Sequence, residues 1–169
     1  MIVVEQRLQE LFATLPPVAI PNASDVPVDH SIFFDWGTIE DLNILIKQED
    51  VYPLLWLETG FEEIHNNQKN EVSVDLSFKI ATSGLNSSLL NQQRILSTFN
   101  LVLIPTLENI RKAFERSNIV VLENQDWNIT KFYNWSDAEN LETSQIWDAL
   151  RFDVSLVINN DCLKPFSYG

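Results

Sequence analysis

The sequence predicts an α+β domain: a mostly antiparallel β-sheet with a long hairpin, packed on one face by a long helix and an N-terminal helix. Three stretches make that prediction. Val72, Val74, Leu76, Phe78 and Ile80 alternate with Ser73, Asp75, Ser77 and Lys79, the period-two pattern of a half-buried strand. Leu150, Phe152, Val154, Leu156 and Ile158 repeat it near the end of the chain. Between them Leu96, Phe99, Leu103, Leu107, Ile110 and Phe114 recur at steps of three and four, which places them on one face of a helix.

The elements follow in order. Val4, Leu8, Leu11, Phe12 and Leu15 share one helical face, and Pro16 and Pro17 end that helix. It is expected either to pack on its own domain or to exchange onto a neighbour. Residues 16–31 contain four prolines and read as an extended connector. The core resumes at Ile32–Phe34. Gly37 and Thr38 then open a short helix, with Thr38 as cap, Asp41 three residues on, and Ile39, Leu42, Leu45 and Ile46 as its buried side.

Tyr52–Leu57 is a nearly continuous apolar run, read as a strand. Pro53 marks either an edge strand or a strand's first position. The polar stretch from Glu58 to Asn70 exceeds what a tight turn needs, so it predicts a long hairpin with a projecting tip. Pro105 sits inside the long helical pattern, and a kink or break is expected around Leu101–Pro105. Three strands should follow, at Ile119–Glu123, Trp127–Tyr133 and Gln145–Ile158, with a loop at Asn134–Thr143. The whole reads as a single domain over 1–169: helix 1–15, connector 16–31, core 32–158 and tail 159–169.

Composition excludes several functions. The chain has 169 residues, 45% hydrophobic, which suits one domain with a core. A net charge of -13 argues against a protein that wraps nucleic acid. The only local basic group, Arg111, Lys112 and Arg116, reads as complementing a helix C-terminus. Cys162 is the single cysteine, so no intrachain disulfide forms, which fits a reducing interior. MIVVEQRLQELF lacks a basic start followed by an apolar run and does not read as a signal peptide. Without such a signal, the N-x-S/T triplets at Asn22, Asn86, Asn128 and Asn134 read as chance. No apolar run is long enough to span a membrane, and no membrane partner is expected.

The chemistry of common active sites is not written in the chain. Four glycines do not make a phosphate-cradling loop. His30 and His65 both fall in predicted loops and lack metal-ligand spacing, so no metal or cofactor is expected. Cys162 lies too near the C-terminus to be held as an oriented thiol. The adjacent acids Glu40-Asp41, Glu49-Asp50 and Glu62-Glu63 are poorly placed for acid/base work, which draws its pair from different elements facing one cleft. Asp35, Asp126 and Asp148 each neighbour a tryptophan. They support the one enzymatic alternative, a small carboxylate-based hydrolase, which requires a deep pocket where two acids converge.

Two features exceed what folding requires. Phe61 and Ile64, flanked by Glu62 and Glu63, lie on the predicted projection and read as anchors for a neighbour or as residues folding back. Trp135 and Leu141, in a polar loop, read as interface anchors or as caps of the core.

The order of elements resembles the tail-terminator, or tail-completion, proteins of tailed bacteriophages. The likeness runs from the N-terminal helix through the strand Tyr52-Pro53-Leu54-Leu55-Trp56-Leu57, the long hairpin into Val72–Ile80 and the helix Asn91–Arg116. It ends with the closing strands Trp127–Tyr133 and Trp147–Ile158. The resemblance implies a non-enzymatic virion protein of the neck or tail, assembled in the host cytoplasm. It implies a homo-oligomeric ring, a hexamer or dodecamer, contacting tail-tube or connector proteins. DNA would pass non-specifically through an acidic lumen, whose charge would keep phosphate from sticking. The competing reading is a cytoplasmic adaptor with one apolar patch for one protein partner.

Overall fold

The computed structural model describes residues 3–22, 24–48, 52–83, 90–143 and 146–159. Cys162, the tail from residue 160, the Glu49-Asp50 pair and the Asn86 triplet lie outside the described residues.

Helix α1 (Val4–Phe12) turns Val4, Leu8, Leu11 and Phe12 into the core, as their spacing predicts. It packs on its own domain, with the Phe12 ring set edge-on to Phe34, Phe78 and Phe114 at 4.8, 5.8 and 5.7 Å.

The expected connector is a correction. It folds as a hairpin of β1 (Val18–Pro21) and β2 (Pro27–His30). The prolines permit this because of where they fall in the register. Asn22 N–H donates to Val26 O, so the hydrogen-bonded pairs of the ladder fall at 22/26, 20/28 and 18/30. Pro21 and Pro27 face each other at a non-hydrogen-bonded pair, where their missing N–H groups point away from the ladder. The Asn22 side chain ties the turn by accepting from the amides of Ser24 and Val26. Val18 and Ile20 bury against Val102.

Strand β3 (Phe33–Gly37) leads into α2 (Ile39–Ile46). The predicted cap is present: Asp41 N–H donates to Thr38 Oγ1, and Asp41 Oδ2 accepts from the Thr38 amide at 2.8 Å. Gly37 has φ +152°, and a Cβ there would lie 2.5 Å from the same Asp41 oxygen, so only glycine fits before this cap. Thr38→Ala is expected to cost about 1 kcal/mol of stability, read from the urea midpoint. An unchanged midpoint would show that the cap contributes nothing. Leu42, Leu45 and Ile46 are buried, but Ile39 is 45% exposed, because it starts the helix before the chain has turned inward.

The main sheet runs β3-β4-β6-β9-β7, with β4 (Leu54–Glu58), β5 (Glu63–Asn66), β6 (Glu71–Ser83), β7 (Val120–Leu122), β8 (Asn128–Phe132) and β9 (Trp147–Asn159). β5 also pairs with β6, and β8 with β9; among the described residues the β3–β4 pair alone is parallel. Pro53 precedes β4, which is flanked on both sides, so its first-position reading holds and its edge reading does not.

The apolar run of β4 has a physical cause. Leu55 and Leu57 face the main core under α1 and the long helix, while Leu54 and Trp56 face a second core on the opposite side. That second core joins α2 to Trp135, Leu141, Trp147, Ala81 and Ala149. Helices therefore cover most of one sheet face and the other at one end only.

Between β6 and β7 the helical run is continuous: α3 (Asn91–Arg94), a π-helix (Ile95–Leu103) and α4 (Ile104–Arg116). Pro105 causes no break, because α-helical bonding restarts at Ile104 and the proline occupies the first turn, where its missing N–H is not needed. Ile104 N–H reaches back to Phe99 O, five residues away, rather than four. The wider turn rotates the preceding residues out of the α pattern. Leu96, expected inside, is 66% exposed, while Thr98 and Val102 take inner positions.

Two sheet edges are blunted. Phe33 N–H bonds Pro53 O, so the Trp36 amide points outward, where the Asp35 carboxylate takes it at 2.8 Å. In the small sheet, the outward-facing edge of β2 holds Pro27.

Candidate assembly surface

The predicted hairpin is present. β6 continues beyond its pairing with β4, and its outer residues Glu71–Val74 pair with β5, closed by a turn at residues 67–70. The four candidates on this arm part company. Phe61 is half-buried and packs on the main core, so it folds back. Glu62 is exposed. Glu63 is half-buried, and its Oε2 lies 2.7 Å from His65 Nε2. Ile64 is 65% exposed. Alternation along β5 explains the difference: Glu63 sits opposite Val74 on the helix-covered side, Ile64 opposite Ser73 on the open side.

Trp135 and Leu141 correct the interface reading. Trp135 is fully buried and Leu141 is 7% exposed; both lie in the second core. A short helix, α5 (Trp135–Ala138), entered through Asn134 at φ +55°, turns the tryptophan inward. The loop closes on α2, where Lys47 donates to Glu142 at 2.7 Å and the Glu142 amide donates to Asn43. The hydrogen bond from Lys47, with its charge, holds the Glu142 carboxyl below its ordinary value.

The open sheet face carries a cross-strand polar ladder. Lys79 is 7% exposed, and its Nζ sits 2.7 Å from Glu58 and 2.8 Å from Glu139. Beside it Arg151 Nη2 donates to Ser77 Oγ at 3.2 Å, and Ser77 Oγ donates to Asp153. Ser155 Oγ donates to Asp75 at 2.6 Å. Register explains the grouping, since Asp75 faces Ser155, Ser77 faces Asp153 and Lys79 faces Arg151. A shallow groove lined by Asp75, Asp126, Asp153 and Arg151 runs along it.

The same face ends in a row with apolar residues at both ends. Ile64 sits opposite Ser73, Ser73 opposite Val157 and Val157 opposite Val121. The two ends of that row, Ile64 on β5 and Val121 on β7, are 65% and 60% exposed. Val121 escaped the sequence reading because a three-residue strand has too few positions to reveal its faces.

The acids beside tryptophans do not converge. Asp35 bonds the Trp36 amide, Asp126 lines the groove on the open face, and Asp148 is buried against Arg94. His30 stacks on Tyr52 at 5.2 Å. Among the described residues no group of His, Cys, Asp and Glu is arranged to hold a metal, and no helix is long and apolar enough to cross a membrane. Compared with known proteins, the chain matches no protein-family model and no curated protein sequence.

Proposed function

We propose that the chain is a structural subunit of the neck or tail of a tailed bacteriophage, assembling with copies of itself into a ring that ends the tail tube or joins it to the head. The observation that carries this reading is the β5 edge strand, which presents Ile64 at 65% exposure on the sheet face that also carries the polar ladder. Exposed apolar side chains on a terminal, hydrogen-bonded strand suit a contact that another chain completes. The order of elements, with a long hairpin before a long helix and closing antiparallel strands, supports the same reading.

The charge distribution supports a role for the open face. Glu58, Asp75, Asp126, Glu139 and Asp153 outnumber Lys79 and Arg151 there. Turned toward a lumen, that surface would let DNA pass without binding it. Assembly in the host cytoplasm and residence in the virion belong to the same proposal, as do tail-tube or connector proteins as neighbours.

Light scattering across a concentration series, with negative-stain images of the largest species, tests it. Closed rings of six or twelve copies are expected. A monomer or dimer at every concentration would overturn self-assembly and favour an adaptor with one protein partner.

A further inference from the structure

We infer that copies join side by side and head to tail, the β5 edge of one seated on the β7 edge of the next, with Ile64 against Val121. This rests on the reading that the chain assembles with itself, and adds which surfaces meet and in what symmetry.

Three observations lead there. The first is position. β5 and β7 are terminal strands on opposite sides of the same sheet, each paired on one side only. Ile64 and Val121 stand at the two ends of one cross-sheet row on the same face. Each lacks an apolar neighbour on its outer side, and in a row of copies each supplies what the other lacks.

The second is charge. Glu63 and His65 lie on the helix-covered side of the β5 edge, with Glu62 just before them. Against β7 lies the C-terminal end of α4, which carries Arg111, stacked on Trp127, with Lys112 and Arg116. Glu108, Glu115 and the exposed Glu123 just after β7 offset them, so this edge is near neutral where the β5 edge is acidic. Arg111, Lys112 and Arg116 are the one local basic group of a chain with net charge -13. An acidic edge set against a near-neutral one repels less than two acidic edges in a like-to-like pair.

The third is the state of the β3 and β2 edges. One outward amide of β3, that of Trp36, is taken by Asp35, and β2 shows Pro27. Both discourage strand addition.

Two different patches meeting make a heterologous contact, which closes into a ring when the rotation per copy divides a full turn. That symmetry gives a decisive test. Ile64→Glu damages only the β5 edge and Val121→Glu only the β7 edge; both residues are exposed, and circular dichroism checks that each variant folds. Each alone should remain monomeric by light scattering where the wild type assembles. Mixed in equal amounts, they should form a species of twice the monomer mass and nothing larger, since one sound edge of each remains. Ile64→Thr and Val121→Thr, which keep strand-forming residues, should show the same pattern at higher concentration. Variants that still assemble like the wild type would overturn the proposed contact. So would a mixture that stays monomeric, or loss of assembly with Ile64→Glu but not with Val121→Glu, which would mark a symmetric Ile64 contact. A wild type that never assembles would overturn the ring reading itself, and this contact with it.

Discussion

Asp148→Ala is expected to destabilise the protein by about 3–5 kcal/mol, because it removes one member of a buried, hydrogen-bonded ion pair. Asp148 is fully buried. Its two oxygens accept from Arg94 Nη1 at 2.9 and 2.8 Å, and Oδ1 also accepts from the Asn134 amide at 2.9 Å. Three elements meet at that carboxylate: the start of the long helical run, the start of β9 and the entry to α5. Removing it should loosen all three, and with them the second core. Urea denaturation measures the loss. The double variant Arg94→Met with Asp148→Leu should recover much of it, since replacing both members of a buried ion pair by apolar side chains costs less than removing one, although the Asn134 amide then loses its acceptor. A single variant as stable as the wild type would mean that water reaches Arg94 and that the pair is not structurally important.

The second large effect is expected in the main core. Phe78→Ala should cost about 3–5 kcal/mol through lost transfer energy and the cavity left behind. Phe78 is fully buried midway along β6, with its ring stacked on Phe152 at 5.0 Å and within 5.8 and 6.4 Å of Phe12 and Phe114. It therefore touches α1, α4 and β9 at once, and no single element can shift to fill the void. A lower urea midpoint with unchanged slope would report lost stability alone. A loss below about 1 kcal/mol would show that the core repacks around the gap, contrary to the tight aromatic cluster.

Where the chain patterns were local and regular, the sequence was a sound guide. The alternation in β6 and β9 placed Val72, Val74, Leu76, Phe78 and Ile80, and Leu150, Phe152, Val154, Leu156 and Ile158, correctly, because a strand with one face buried must alternate. It did not place Lys79, Ala81, Trp147 or Ala149, which are buried on the opposite face where the second core covers it. The spacing in α1 and α4 worked for the same reason at helical period. Leu96 failed because the π-helix changes the period, and one proline did not announce that adjustment. The prolines of residues 16–31 argued against a strand until register put Pro21 and Pro27 opposite each other, and register depends on which residues pair, not on which are present. On the candidate site, Ile64 was legible as an apolar residue in a polar projection. Trp135 and Leu141 were misplaced because a polar loop that returns to the core looks, in sequence, like one that does not.

The sequence by itself determined the α+β class, the hairpin, the capped helix at Thr38 and the face that each long element buries, since these follow from periodicity and short-range hydrogen bonding. Only the tertiary structure decided that helices flank both sides of one sheet end, that Lys79 and Arg94 are drawn inward to carboxylates, and that Ile64 and Val121 share a row. Those facts join residues far apart in the chain, and such proximity is set by strand order and packing, which no local pattern encodes.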